Sequence, residues 1–314
     1  MNLVKRNINE IARLCYSRKV KGQKDENGKT VARAYPCTAW KLQSLMSEPE
    51  VKERCDILAR LNKGHWCSQE ELAEIMQIPL VKKSIRKKEL SEHLQAGSIK
   101  AHKDVFDAVK EGLPITCWHA HFFLDDNHRV KDCAVENGLY LADYDGIEDP
   151  RKLIQDQGWD QPEFIEEHKI VYLGITPSAH GIRIVAERPE GMTLLQANQQ
   201  LAEQLNITDL GITNDTSVCE ASRASYIVPT DYAVYVNWDK LAYANQAEAA
   251  AVAQKCAAIK ENGNNVHTAK SSNSLATSNA NENKAEIVIE DNYEGAKYTD
   301  IVDYILEQWG GEAK

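Results

Sequence analysis

Residues 139–147 read LYLADYDGI, with two aspartates, Asp143 and Asp145, one residue apart inside an apolar segment. On a strand, alternation sets both side chains on the same face. Like charges so placed repel, which costs free energy unless something compensates. The usual compensation is a cation between them. The rest of the sequence has to say whether that cation is structural or catalytic.

The chain has 314 residues, enough for one large domain or two ordinary ones. No apolar run approaches the ~18–20 residues of a membrane span. The N-terminus, MNLVKRNINEIARL, is basic and amphipathic but lacks an apolar signal core. The chain therefore reads as cytoplasmic, with no membrane partner. The eight cysteines form no CxxC pair and no regular framework, so free thiols are expected. A zinc site drawn from Cys37, Cys55, His65 and Cys67 fits no compact knuckle spacing.

The net charge of −10 argues against a nucleic-acid partner only superficially, because the charge is unevenly spread. Residues 1–110 carry 22 Lys and Arg against 14 Asp and Glu, a net of +8. The remainder carries 15 against 33, a net of −18. The basic side concentrates in SRKVKGQK (17–24) and VKKSIRKKEL (81–90). Such runs are either solvated faces or phosphate contacts, since sequence-independent affinity comes from Lys and Arg. The acidic remainder suits metal cations.

Residues 1–75 read as helical, from the three- and four-residue spacing in NEIARLCYSR and VKERCDILARLNKG. Ser68 and Glu71 form a capping-box pattern. KDENGKTVARA (24–34) reads as a turn or loop, and SIKAHKDVFDAVK (98–110) as a helix. A strand-rich region follows: LPITCWHAHFFL (113–124), LYLADYD (139–145), and two strands in HKIVYLGITPSAHGIRIVAE (168–187) joined around Pro177 to Gly181. EDPRKLIQDQG (148–158) reads as a helix or turn, TLLQANQQLAEQLN (193–206) as a helix, and SYIVPTDYAVYVN (225–237) as extended with a break at Pro229. Strands and helices without strict βαβ alternation predict an α+β fold with a largely antiparallel sheet. The expected divisions are a basic, mostly helical region at 1–97, a core at 98–240 and an Ala-rich helix at 241–260. A linker at 261–284 and a C-terminal helical element at 285–314 follow; the linker is Asn/Ser-rich and too polar to offset ordering entropy.

Three elements carry candidate chemistry. The first is Asp143-x-Asp145. The second is TPSAHGIRIV (176–185), where Ser178 and His180 sit in a strand-to-strand turn and Gly181 lets a ligand approach the backbone; such donors suit phosphate. The third is LGITNDTSVCEASRASYIV (210–228), where Asp215 follows an apolar segment and Arg223 lies eight residues on. A third carboxylate would complete a two-cation cage, and an arginine would pair with phosphate.

The order DxD, SxH, then a lone acid, about 35 residues apart each time, resembles the archaeo-eukaryotic primase superfamily. At the third motif polar Asn214 replaces the family's apolar residue, so Glu220 stays open as an alternative to Asp215. Over residues 98–240 the chain looks like the primase-polymerase domain of VirE N-terminal-domain proteins from bacterial mobile elements. Lys110, Leu113 and Pro114 match that family's K-x-x-L-P, and Asp143 to Gly146 its DxDG strand. Pro177, Ser178 and Gly181 match its PSxxG hairpin, and Ser222, Arg223, Asp231, Tyr235 and Asn237 its last strand.

The resemblance implies an RRM-like catalytic sheet flanked by helices, and a DNA primase-polymerase that makes or extends primers on single-stranded DNA from NTPs or dNTPs. It implies two Mg²⁺ or Mn²⁺ ions on Asp143, Asp145 and Asp215, which stabilise the attacking and leaving oxygens of nucleotidyl transfer. Ser178, His180, Arg223 and Lys110 would hold the nucleotide. The basic N-terminal third would hold the template. No GxxxxGK[ST] loop occurs, so any helicase is a separate chain, reached through the C-terminal helix. Two rival readings stand beside this one. A degenerate primase-like module would only bind single-stranded DNA or a partner. His119-Ala120-His121 resembles the metal site of HUH nicking endonucleases, with Tyr140, Tyr144 or Tyr172 as the nucleophile on offer.

Overall fold

The computed structural model describes residue 4, residues 12–17, 19–24, 30–32, 34–87, 99–122 and 134–243, and nine scattered positions from 247 to 297. Residues 1–268 form one compact unit and residues 269–314 a second. In the second unit the described residues are two paired strands, Asn292–Tyr293 and Ala296–Lys297. The expected linker and the terminal helix at 298–311 lie outside the described residues, as does most of the expected Ala-rich helix.

The first unit opens with β1 (Leu14–Ser17), β2 (Lys19–Lys24), β3 (Thr30–Ala32) and β4 (Tyr35–Cys37). This corrects the helical reading of NEIARLCYSR over Leu14–Ser17 and the loop reading of 24–34 over Thr30–Ala32; Asn27 and Gly28 lie outside the described residues. Leu14 and Cys15, on opposite faces of β1, are both buried, so β1 is a central strand. Packing on both faces outweighs the helical spacing of the surrounding apolar residues. Five helices follow: α1 (Ala39–Met46), α2 (Pro49–Leu61), α3 (Gln69–Ile75), α4 (Pro79–Lys87) and α5 (Ile99–Lys110). Thr38 and Ser68 cap α1 and α3 through their hydroxyls, and Pro49 fills the first position of α2. Next come β5 (Ile115–Cys117), β6 (Ala120–Phe122) and β7 (Ala134–Glu136).

The remainder builds the main sheet. It runs β8 (Leu139–Asp145), α6 (Pro150–Asp156), α7 (Pro162–Glu167), β9 (Ile170–Ile175), β10 (Gly181–Glu187), α8 (Leu194–Gln204) and β11 (Thr213–Asn214). β12 (Ser225–Tyr226), which joins the second sheet, and β13 (Ala233–Val236), which joins the main one, follow. The five-stranded sheet has the order β11-β8-β10-β9-β13, and every pair is antiparallel. Its first four strands thus follow βαββαβ connectivity in spatial order fourth, first, third, second, the split βαβ arrangement. The mixed α+β class and the antiparallel sheet agree with the sequence reading. β12, β5, β1 and β4 form a second antiparallel sheet.

The main sheet is covered on both faces. Leu139 and Leu141 join the core built from α1 to α5. Tyr140, Ala142 and Tyr144 join the core under α6 and α8. Two burials per strand explain why β8 is apolar at both parities. Asn137 ties the sheets together: its amide donates to the carbonyls of Arg13 (2.6 Å) and Trp118 (2.9 Å), and its oxygen accepts from the Leu139 amide (3.0 Å).

Candidate functional site

The apolar alternation of β8 breaks at its C-terminal end. Continuing the α1–α5 face beyond Leu139 and Leu141, the next two positions are Asp143 and Asp145. The register then decides their neighbours. Arg183 of β10 lies directly opposite Asp143, and Gly181 opposite Asp145. On the other side Thr213 and Asn214 pair with Asp145 and Tyr144, and the Asp215 amide donates to the Asp143 carbonyl at 2.9 Å. Arg183 of β10, Asp143 of β8 and Asp215, the residue after β11, therefore form one row.

The cation beside the paired aspartates is a side chain of the protein. Arg183 Nε donates to one Asp143 carboxylate oxygen at 2.8 Å and Nη2 to the other at 2.7 Å. Its Nη1 donates to the Tyr226 carbonyl at 2.8 Å. Both residues are buried, Arg183 to 4% exposure and Asp143 to 8%. Such a fork-on-carboxylate pair satisfies both groups where water does not. Sequence reasoning passed over Arg183 and offered exposed Arg223 instead. A signal was present: Arg183 is a charge flanked on both sides by apolar residues within the strand GIRIVAE, as Asp143 is within LYLADYD.

Asp145 is different. Its carboxylate accepts no hydrogen bond among the described residues, and burial, then the charges of Asp143 and Asp215, hold it above the usual carboxylate range. Asp215 accepts from the Ser217 amide at 2.9 Å and caps the short 3₁₀ turn Thr216–Cys219. Asn214 is held by Asn198 of α8 (2.7 Å), whose amide also donates to the Leu141 carbonyl (3.2 Å), so α8 fixes the strand that delivers Asp215. Lys110, the last residue of α5, faces the same charges. Burial and then Arg183 push its ammonium down, against the opposing pull of Asp145, Asp107 and Asp143. Its Nζ lies 5.4 Å from the Phe106 ring centre and 5.3 Å from that of Tyr226.

The β9–β10 turn closes over the end of β8. The amides of Gly146 and Ile147 both donate to the His180 carbonyl at 3.1 Å, and His180 Nδ1 lies 3.0 Å from the Ile147 carbonyl. Ala179, between Ser178 and His180, has φ +60°, a costly conformation for a residue with a Cβ. A Cβ on Gly181 would sit 2.7 Å from Asp145 Oδ1, Thr176 Oγ1 and the Tyr144 carbonyl, so only glycine fits there. Ser178 and His180 thus stand on a strained turn next to Asp145, with the imidazole turned to the backbone. Glu220 is exposed and accepts from the Ser222 hydroxyl at 2.6 Å.

The other candidates lie elsewhere. His119 is fully buried, with Nε2 3.0 Å from the Glu220 carbonyl. His121 sits between Cys15 Sγ (3.3 Å) and the Tyr243 hydroxyl (2.8 Å); burial, then the Arg13 charge, brings its imidazole down to about 4. Tyr140, Tyr144 and Tyr172 are core residues whose phenols are pushed up by burial. Cys37, Cys55 and Cys67 are buried free thiols. Among the described residues, no three His, Cys, Asp or Glu side chains converge as a ready metal-ligand set, and no helix is long and apolar enough to cross a membrane. No family model, no curated protein and no solved structure matches the chain.

Proposed function

We infer that this chain is a nucleotidyltransferase of the primase-polymerase kind, which builds or extends primers on a single-stranded DNA template. The observation that carries the reading is the register. The first two acids stand on β8 and the third directly follows its neighbour β11, at one end of a split βαβ sheet. Lys110 and the strained Ser178-x-His180 turn lie beside them.

The donor chemistry suits Mg²⁺ or Mn²⁺, since hard carboxylates bind hard cations. Asp145, unpaired and repelled by its neighbours, is the ligand most open to a cation, and Asp215 would share it. Asp143 enters that set only when Arg183 releases it. Bound there, such ions stabilise the charges on the attacking and leaving oxygens. The chain's own groups hold the nucleotide: Lys110 and Ser178 face the triphosphate, Arg223 reaches it from the exposed turn before β12, and His180 fixes the turn.

A second reading, a non-catalytic module that binds single-stranded DNA, is favoured by Arg183 occupying both Asp143 oxygens. One assay separates the two. Wild type and Asp145→Asn are given a single-stranded template, Mg²⁺ or Mn²⁺, and labelled NTPs or dNTPs. Asp145→Asn leaves the buried ion pair intact, so lost synthesis cannot be ascribed to misfolding. Product from wild type alone supports the enzyme. No product from wild type, with template still bound, selects the binding module.

A further inference from the structure

α4 reads PLVKKSIRK and contains no acidic residue. Packing sorts its side chains. Leu80, Val81, Ser84 and Ile85 are buried, whereas Lys82, Lys83 and Arg86 are exposed. Arg86 lies four residues from Lys82 and three from Lys83, so the cations share one face of the helix. With Gln77 and Pro79 they line a single groove, whose wall holds no carboxylate.

The other helices treat their lysines differently. Lys52 pairs with Asp56, Lys103 with Asp107 and Lys152 with Asp156, each four residues on. Arg60 and Lys63 share Glu71. Among the described residues, no hydrogen bond or ion pair engages Lys82, Lys83 or Arg86. Like charges three and four residues apart repel and cost the helix stability. A chain of anions laid in the groove would remove that repulsion. Regularly spaced phosphates are such a chain, and Lys and Arg bind them by releasing counterions.

The groove also stands on a fixed support. Arg54 of α2, 2% exposed, donates through Nη1 to Ser84 Oγ of α4 (3.2 Å) and to the Val109 carbonyl of α5 (2.8 Å). Val109 immediately precedes Lys110. One buried guanidinium therefore ties the basic helix to the helix end that carries the lysine of the candidate site.

We propose that Lys82, Lys83 and Arg86 form a phosphate-backbone site for a nucleic-acid template. This rests on the functional reading above and names where its template docks. No aromatic ring lines the groove to stack a base, so the contact reads neither sequence nor strandedness.

The test is fluorescence anisotropy with a labelled oligothymidylate over a range of salt, in chelator so that no synthesis occurs. Wild type is compared with Arg86→Gln and with the triple variant Lys82→Gln/Lys83→Gln/Arg86→Gln. A control triple, Lys52→Gln/Lys103→Gln/Lys152→Gln, loses the same charge from other helices. The α4 triple is expected to bind about ten-fold more weakly at physiological salt, with the slope of log affinity against log salt reduced by about 2. Arg86→Gln alone should reduce the slope by about 0.7, and the control triple should leave it near wild type. All three α4 side chains are exposed and glutamine is a good helix former, so the melting temperature should hold. If the triple lowers it, Arg86→Gln carries the test. A wild-type slope in the α4 variants, or an equal loss in the control triple, overturns the proposal and leaves the enzymatic reading standing. So does wild type that binds polyglutamate in place of the oligonucleotide, which would assign the groove to an acidic peptide. No oligonucleotide binding by wild type at low salt overturns both this proposal and the template assignment.

Discussion

The two faces of the main sheet differ along the same strands. Under α6 and α8, Tyr140, Ala142, Tyr144, Ile182 and Ile184 make an unbroken apolar surface. Towards α1–α5, Leu139, Leu141 and Val185 give way to Asp143, Asp145 and Arg183. One face is held by area removed from water. The other ends in a buried ion pair whose worth depends on both partners being present. The difference teaches that this sheet is an apolar core on one side and ends in a charged row on the other, with two residues of β8 deciding where the change falls.

The sharpest way to break this contrast is Arg183→Met, which strands Asp143 in the interior. It should cost about 3–5 kcal/mol in urea unfolding. A loss under about 1 kcal/mol would mean that water already reaches the carboxylate, as at an exposed pair. On the apolar face, Ile184→Ala in the same strand should cost about 2–5 kcal/mol, with a cavity and no change in pH dependence. The third test is Gly174→Ala. Gly174 lies opposite Arg183, and a Cβ there would come 2.3 Å from the hydroxyl of Tyr172, itself buried to 1% exposure. Overpacking of about 1–3 kcal/mol is expected, visible as a lowered melting temperature.

The smallest effect separates the two aspartates. Asp145 is held above its ordinary carboxylate range, so the folded state binds its proton more tightly than the unfolded state. Its penalty is therefore absent below the unfolded carboxylate pKa, grows as pH rises towards the raised folded value, and is fully present above it. Asp145→Asn removes the penalty. Its melting temperature at neutral pH should match or slightly exceed wild type, by less than about 0.5 kcal/mol in stability. A lower melting temperature would show that Asp145 has a partner in the fold.

Much of the sheet was legible in the sequence, and the reasons are local. β8, the β9–β10 hairpin, α6 after Pro150 and the capped helix α8 each carry their own period or punctuation. β1 was missed because its burial comes from strands far along the chain, β5 and β4, which a helical spacing does not register. The register brings Asp143, Asp145 and Asp215 to one end of the sheet, and in the sequence they were grouped by their order. Arg183 was not, because a single arginine in a strand gains its meaning only from the residue opposite. Cross-strand register is a tertiary fact. Lys110 was matched by motif, but its place between two aromatic rings depends on how α5 meets β12.

Asp143 and Asp145 are built into a seven-residue strand paired on both sides, whereas Asp215 follows β11, an edge strand of two residues. Edge strands this short open far more often than the core unfolds. The Asp215 amide, bonded to the Asp143 carbonyl, is thus a built-in clock. Its hydrogen-exchange rate counts how often the third acid leaves the other two. Any ligand that gathers all three will slow that one proton before it slows the rest of the sheet.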